Sequence, residues 1–355
     1  MSDFCESLGL SVPLVQAPMA GTSTPELAAA VCAAGGLGSL ALGHLASADA
    51  GEALARMAAL TERPFNVNLF VHGPPNEDPV REAAWLEALA PAFAQFGATP
   101  PSRLETIYES FRSNAALLDV VLAARPRVVS FHFGLPDTSA IAALKAAGCL
   151  LLASVTSHSE AKAACAAGID ALVAQGWEAG GHRGVFDPDA PDAMLGTFAL
   201  VRQLVAWGRL PVIAAGGIMD GAGIAAALNL GAVAVQMGTA FLACTETASD
   251  AAYRALLASE AARHTVMTRA ISGRPARCLA NRFTALGAEP GLAPVPDYPR
   301  AYAAGKALNA AAKARGEPLY GAQWAGQGAP LVRAMGACEL VVTLAAELAA
   351  IRRPA

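Results

Sequence analysis

Charge is scarce in this chain. Asp, Glu, Lys and Arg make up 15% of its 355 residues, and the net charge is −4. No run of Lys or Arg exists to track a phosphate backbone, which argues against nucleic acid or a charged membrane surface as a partner. Aromatic residues are also few, at 6%. The seven cysteines are scattered, and no two form a C-x-x-C pair. That spacing offers neither a disulfide framework nor a zinc site, so no metal is expected and the thiols read as free in a reducing cytosol. The opening residues MSDFCESLGL carry acids and no apolar stretch of signal-peptide length. Every Ala-rich segment is broken by Gly, Pro or charge before it reaches membrane-spanning length. These absences together point to a soluble cytoplasmic protein.

What is abundant is apolar surface. Hydrophobic residues reach 54%, enough for a large core. Short apolar runs alternate with Ala/Leu-rich helical patterns. Strands are expected at 12–17, 37–42, 65–70, 127–133, 150–155, 171–176, 211–217 and 232–242. Thr24 and Pro25 open the first helix and Gly35 closes it; a second helix follows over 48–60. Eight strands alternating with helices predict an α/β fold, a TIM (β/α)8 barrel, because eight is the number that closes such a barrel. An open doubly wound sheet is the alternative. However, the glycines of Ala34–Leu40 (AGGLGSL) end a helix and enter a strand, the reverse of the dinucleotide-binding order.

Two regions exceed a minimal barrel. Residues 73–124 hold roughly two helical patterns after a Gly-Pro-Pro break. Residues 245–330 are helical around a Pro/Gly-rich middle. The expected organisation is a barrel over 1–244 with a helical insertion at about 73–124, a smaller, mostly helical capping domain over 245–330, and a returning barrel helix over 331–355.

Barrel function resides at the C-terminal ends of the strands. There the sequence places Gln16, Asn66 and Asn68, the run Ser130–Gly134, Gln175, Gly216–Gly217 and Gln236–Thr239. These groups are polar and mostly uncharged, as a flat heterocycle with amide-type edges requires. A lone Gly-Gly makes an ordinary tight turn. Two glycine loops in consecutive units, after the seventh and eighth strands, point instead to a phosphate held by backbone N–H groups. Asp220 is placed to cap the helix that follows. The segment Ala174–Phe186 (AQGWEAGGHRGVF) sets His182 among glycines, unlike a core histidine, and its ring suits proton transfer near neutral pH. His132, alternating with Phe131 and Phe133, either lines the mouth or is a satisfied core residue. His44, His72, His158 and His264 have no such neighbours and read as structural or surface residues.

The segments Gln16–Leu40, Ser130–Pro136 (SFHFGLP), Ala174–Phe186 and Ala214–Leu242 together resemble the nitronate monooxygenase family, formerly the 2-nitropropane dioxygenases, and its first class in particular. The resemblance implies a TIM barrel holding non-covalent FMN. It also implies oxidation of alkyl nitronates, propionate 3-nitronate foremost, by O2 without NAD(P)H, as a detoxification. By motif, Asn68, Gln175, Gly180, Gly217, Gln236, Met237, Gly238 and Thr239 would bind FMN. His182 matches the family's catalytic His, and His132 a second His at the substrate. Tyr298, Tyr302 and Lys306 match a Tyr, Tyr, Lys set that binds substrate. The spacing of these three, i, i+4 and i+8, would place them on one helix face, and Lys306 is one of only four lysines beside twenty-one arginines. An ordinary amphipathic stripe has the same spacing. The partners implied are a small anionic nitronate and O2, and a homodimer is left open. Other readings are an NAD(P)H-dependent enoyl-thioester or quinone reductase on the same barrel, a non-catalytic flavin-binding protein, and a flavin-free aldolase or isomerase.

Overall fold

The computed structural model describes residues 2–352. Each of the eight apolar runs contains a strand. In chain order these are β1 (Leu14–Gln16), β2 (Ser39–Ala41), β3 (Asn66–Phe70), β4 (Val128–His132), β5 (Leu150–Val155) and β6 (Ala171–Gln175). A two-residue strand, β7 (Gly181–His182), interrupts the series before β8 (Val212–Ala215) and β9 (Ala234–Met237). All but β7 form one parallel sheet in the order β1-β9-β8-β6-β5-β4-β3-β2.

The sheet closes into a barrel at the seam between β1 and β2. A single parallel bridge joins Val15 to Leu37 there. Leu37 N–H donates to the Leu14 carbonyl at 2.8 Å, and Gln16 N–H donates to the Leu37 carbonyl at 2.9 Å. Past that point a side chain takes over: Gln16 Oε1 accepts the Ser39 N–H at 2.8 Å. Gln16 is fully buried, so this bond satisfies a donor that water cannot reach.

The period of two along each strand sorts the side chains. On β3, Val67 and Leu69 face the outer helices; on β4, Val129 and Phe131 do; on β5, Leu151, Ala153 and Val155 do. The opposite row fills the barrel. Its lower layer is apolar, with Val15, Leu37, Val128, Leu152, Val173 and Ile213 packed against Phe4 and Leu8 of the N-terminal segment. Its upper layer is polar and buried: Asn68, Ser130, Ser154 and Gln175. The change from apolar to polar within one row sets the depth at which a ligand would stop.

The first outer helix runs Pro25–Ala33, with the Thr24 hydroxyl accepting the Leu27 N–H, and Gly35 follows at φ +90°. The last helix, Ala337–Arg352, packs against Pro25–Ala33 and Gly221–Asn229, completing the helical ring. Of the two helical patterns in 73–124, Ala115–Ala124 packs on the barrel beside Ser47–Leu60 and Thr138–Ala146. The other, Pro79–Gln95, packs instead against Arg300–Lys313 over the mouth. Trp85, Leu89 and Phe93 share a second core there with Ile271, Phe283 and Leu308.

Two expectations change. The eighth apolar run leaves the sheet at Met237 and turns into a 3-10 segment, Thr239–Phe241. The cap, read as helical, also contains an antiparallel sheet in which β10 (Thr265–Thr268) pairs with β11 (Ala276–Leu279), and β11 pairs with β7. Strands this short leave too little alternation to be seen in a sequence. Among the described residues, no helix is long and apolar enough to cross a membrane.

Candidate active site

A cavity of about 250 Å³ opens at the C-terminal ends of the strands, beneath the cap. Every residue expected to bind cofactor or substrate or to act in catalysis lines it, whereas the strand-end candidates Gln16 and Asn66 lie buried away from it. Asn68 and His132 come from β3 and β4, Gln175 from β6, and Gly180 and His182 from the loop after it. Gly217 and the run Gln236–Thr239 come from the last two barrel strands, and Tyr298, Tyr302 and Lys306 from the cap.

The two histidines are tied together through backbone. Gln175 Nε2 donates to the His182 carbonyl at 3.0 Å, and Gln175 Oε1 accepts the Gly184 N–H at 2.7 Å. The Gln175 amide therefore holds the His182 loop. His132 Nε2 lies 3.2 Å from the same carbonyl. A carbonyl can only accept, so His132 Nε2 carries the proton and donates. His182 Nε2 lies 2.8 Å from Ser272 Oγ. Burial, opposed by the bond to the His182 carbonyl and aided by Arg274 and Arg183, lowers the pKa of His132 to about 4. Burial, then His132 and Arg274, lower that of His182 to about 3. Both rings are thus neutral at pH 7. The His182 ring is enclosed by Phe133 (5.5 Å between centroids), Tyr298 (5.4 Å) and Trp324 (5.0 Å).

A cradle of N–H groups lies along the other wall. Gly216 and Gly217 have φ of +117° and +72°, a conformation that turns the chain sharply as it leaves β8. Among the described residues, the N–H groups of Gly216, Gly217, Gly238 and Thr239 find no acceptor in the protein. Asp220 caps the helix Gly221–Asn229 by accepting the Gly223 N–H, and Glu347 takes the Gly221 N–H at 2.8 Å. That helix end is already filled by carboxylates, so an anion would rest on the loop amides alone. Thr239 Oγ1 accepts the Gly326 N–H at 3.0 Å, which leaves its own proton to donate.

The remaining predicted cofactor residues fit a polar heterocycle in different ways. Asn68 Nδ2 donates to Ser130 Oγ at 2.9 Å, and among the described residues its Oδ1 has no hydrogen-bond partner. The Gln236 amide makes no hydrogen bond among the described residues. Met237 sends its side chain into the outer core, so only its backbone can serve a ligand. At Gly180 a Cβ would stand 2.4 Å from the Gly326 nitrogen; its glycine permits two loops to cross.

The third wall is aromatic and carries one cation. Tyr302 and Lys306 lie on the helix Arg300–Lys313, but Tyr298 precedes that helix, separated from it by a cis Tyr298–Pro299 bond. The single helix face expected for all three is therefore corrected to two residues on a helix and one on its lead-in loop. Lys306 Nζ lies 5.0 Å from the Tyr108 ring centroid and 5.7 Å from that of Tyr302. Burial lowers the Lys306 pKa and pushes the Tyr108 phenol up to about 12. Sequence reasoning passed over Tyr108, Ser272 and Trp324. It also set aside His44, which lines this cavity with its pKa lowered to about 4 by burial and then by Lys306. These residues sit far apart in the chain and carry no local motif.

The geometry agrees with what the chain is similar to. The family model described as nitronate monooxygenase matches residues 2–347. A nitronate monooxygenase of Paraburkholderia phytofirmans is 60% identical over 341 residues, covering 96% of this chain and 93% of that protein. One of Pseudomonas aeruginosa is 56% identical over 346 residues, covering 97% and 98%. Among solved structures, a nitroalkane oxidase from Streptomyces ansochromogenes superposes with a TM-score of 0.90 at 41% identity, over 98% of this chain and 99% of that one. FabK from Thermotoga maritima superposes with a TM-score of 0.74 at 29% identity, over 99% and 97%.

Proposed function

The chain belongs to the nitronate monooxygenase family, and on that premise we propose that it oxidises alkyl nitronates with non-covalent FMN and O2. Propionate 3-nitronate is the substrate we favour, no NAD(P)H is needed, and the role is detoxification in the cytoplasm. One observation carries the choice of an anionic substrate. Among the residues lining the cavity, Lys306 is the one formal charge at pH 7, since no carboxylate lines it and its histidines are neutral. A lone cation in a low-dielectric pocket favours an anion strongly.

The residues present fit FMN. The acceptorless N–H groups of Gly216, Gly217, Gly238 and Thr239, with the Thr239 hydroxyl, would hold its phosphate. Asn68 Oδ1 and the Gln236 amide would meet the ring edges. When bound, the flavin supplies the electron transfer between substrate and O2. Lys306 draws the nitronate in and offsets its charge. The His182 loop, pinned by Gln175, sets the distance of the imidazole from the substrate. Trp324, Tyr298 and Tyr302 exclude water, and the capping segment 245–330 shields the mouth.

The deciding experiment is oxygen uptake by the purified yellow protein on propionate 3-nitronate without NAD(P)H. Fast uptake with nitrite release is expected. Absence of uptake with flavin bound, together with rapid anaerobic bleaching by NADH or NADPH, would replace this reading by a flavin reductase on the same barrel.

A further inference from the structure

We infer that Ser272 is a positioning residue for His182, fixing its imidazole as the Nε2–H tautomer so that the Nδ1 lone pair is the one offered to the cavity. The argument is a count of protons among three buried groups. Ser272 is fully buried. Its hydroxyl has two neighbours, His182 Nε2 at 2.8 Å and the Arg274 carbonyl at 3.3 Å. A hydroxyl has one proton to give, and a carbonyl can only accept. Among the described residues nothing else donates to the Arg274 carbonyl. If Ser272 gave its proton to His182, that carbonyl would be left unpaired next to a side chain that is itself only 3% exposed. Both groups are satisfied only by the chain His182 Nε2–H to Ser272 Oγ–H to the Arg274 carbonyl. Among the described residues His182 Nδ1 makes no hydrogen bond, and the His182 side chain lines the cavity.

The turn that carries Ser272 is held from several sides. The N–H groups of Ser272 and Gly273 both donate to the Arg269 carbonyl, at 3.2 and 2.8 Å. Gly273, at φ +93°, lies so close to the Tyr298 nitrogen that a Cβ would stand 2.5 Å from it. Gly305 of the cap helix presses on the Ile271 carbonyl, where a Cβ would stand 2.5 Å away. On the other side, β7 pairs His182 with Ala276 of β11. The turn and the histidine thus belong to one small sheet, and the cap that brings Tyr298 and Tyr302 to the substrate also brings the serine to the imidazole.

This tautomer has a chemical consequence. With a neutral nitroalkane in the cavity, the α C–H bond would break, its proton would pass to Nδ1, and the electron pair would move into the nitro group as a nitronate. The imidazolium formed would keep donating its Nε2–H to Ser272 Oγ, whose own hydroxyl proton stays donated to the Arg274 carbonyl. Such a chain stabilises a transient cation without trapping it in an ion pair.

The inference leans on the proposed function only for what His182 acts upon, and its test reads no turnover. The holoprotein is labelled with 15N-histidine, and the His182 ring signals are assigned by their loss in His182→Asn. A protonated Nε2 and a bare Nδ1 are expected near neutral pH. Ser272→Ala should shift the population toward Nδ1–H, and Ser272→Thr should restore it. A wild-type ring protonated on Nδ1, or an unchanged tautomer in Ser272→Ala, would overturn the inference. If Ser272→Ala does not fold, the wild-type and Ser272→Thr spectra still decide. A failed nitronate assay would leave the tautomer result untouched, so the two claims fall separately.

Discussion

His132 Nε2 donates to the backbone carbonyl of His182 across 3.2 Å, so one active-site imidazole is spent on positioning the other. Neither ring is available as a fixed cation, because burial drives both pKa values far below neutrality. On the proposed function, the charge that would receive an anion is that of Lys306, whose Nζ lies 5.7 Å from the Tyr302 ring centroid.

Acid should therefore unfold the protein early. Four histidines, His44, His72, His132 and His182, have folded pKa values of about 4, 4, 4 and 3 against 6.5 for the free group. Below pH 6.5 the unfolded chain binds more protons at these sites than the folded one. Stability is thus complete above pH 6.5 and is lost as pH falls toward 4, with each group contributing up to ~1.4 kcal/mol per pH unit. Thermal unfolding followed from pH 7 to pH 4.5 should show the melting temperature falling throughout. His72→Asn should flatten that fall by about one proton.

Removing the lone cation should hurt binding more than chemistry. In Lys306→Met, KM for propionate 3-nitronate is expected to rise by roughly 30- to 100-fold, with a smaller change in kcat. Steady-state oxygen uptake measures both. An unchanged KM would show that the anion is held elsewhere.

The glycine cradle should discriminate by phosphate. The wild-type apoprotein is expected to bind FMN at least about 100-fold more tightly than riboflavin. Gly216→Ala forces a side chain into φ +117° with its Cβ 2.9 Å from Thr197 Oγ1. It should weaken FMN by at least about tenfold and narrow the gap to riboflavin. Flavin fluorescence titration reads both.

The barrel seam should depend on one side chain. Gln16→Leu keeps volume but removes the acceptor of the Ser39 N–H. Leaving that buried donor unpaired should cost about 1–3 kcal/mol, seen in urea unfolding as a lower midpoint with an unchanged slope. A change of less than about 0.5 kcal/mol would mean that the seam closes by other means.

Much of the site was legible because barrel geometry converts a strand end into a position. Once eight apolar runs alternate with helices, Asn68, His132, Gln175 and Gln236 must converge on one face, however far apart they lie in the chain. The glycine pairs were readable for the same reason, since they follow the last two barrel strands. Other features leave no such trace. Tyr108 and His44 reach the cavity from irregular segments. β7 is two residues long. Tyr298 keeps helical spacing from Tyr302 although it is not on the helix.

The linear pattern alone determined the barrel, its polar upper layer and the glycine loops, because period-two burial and backbone freedom are local properties of the residues that carry them. Only the tertiary structure decided which distant hydrogen bonds those residues make: that Gln175 spends its amide on the His182 loop, that Glu347 joins the Asp220 cap read from the sequence in filling a helix end an anion would otherwise favour, and that Ser272 meets His182. Such bonds join elements far apart in the chain, and a buried donor takes whichever acceptor packing brings within 3 Å.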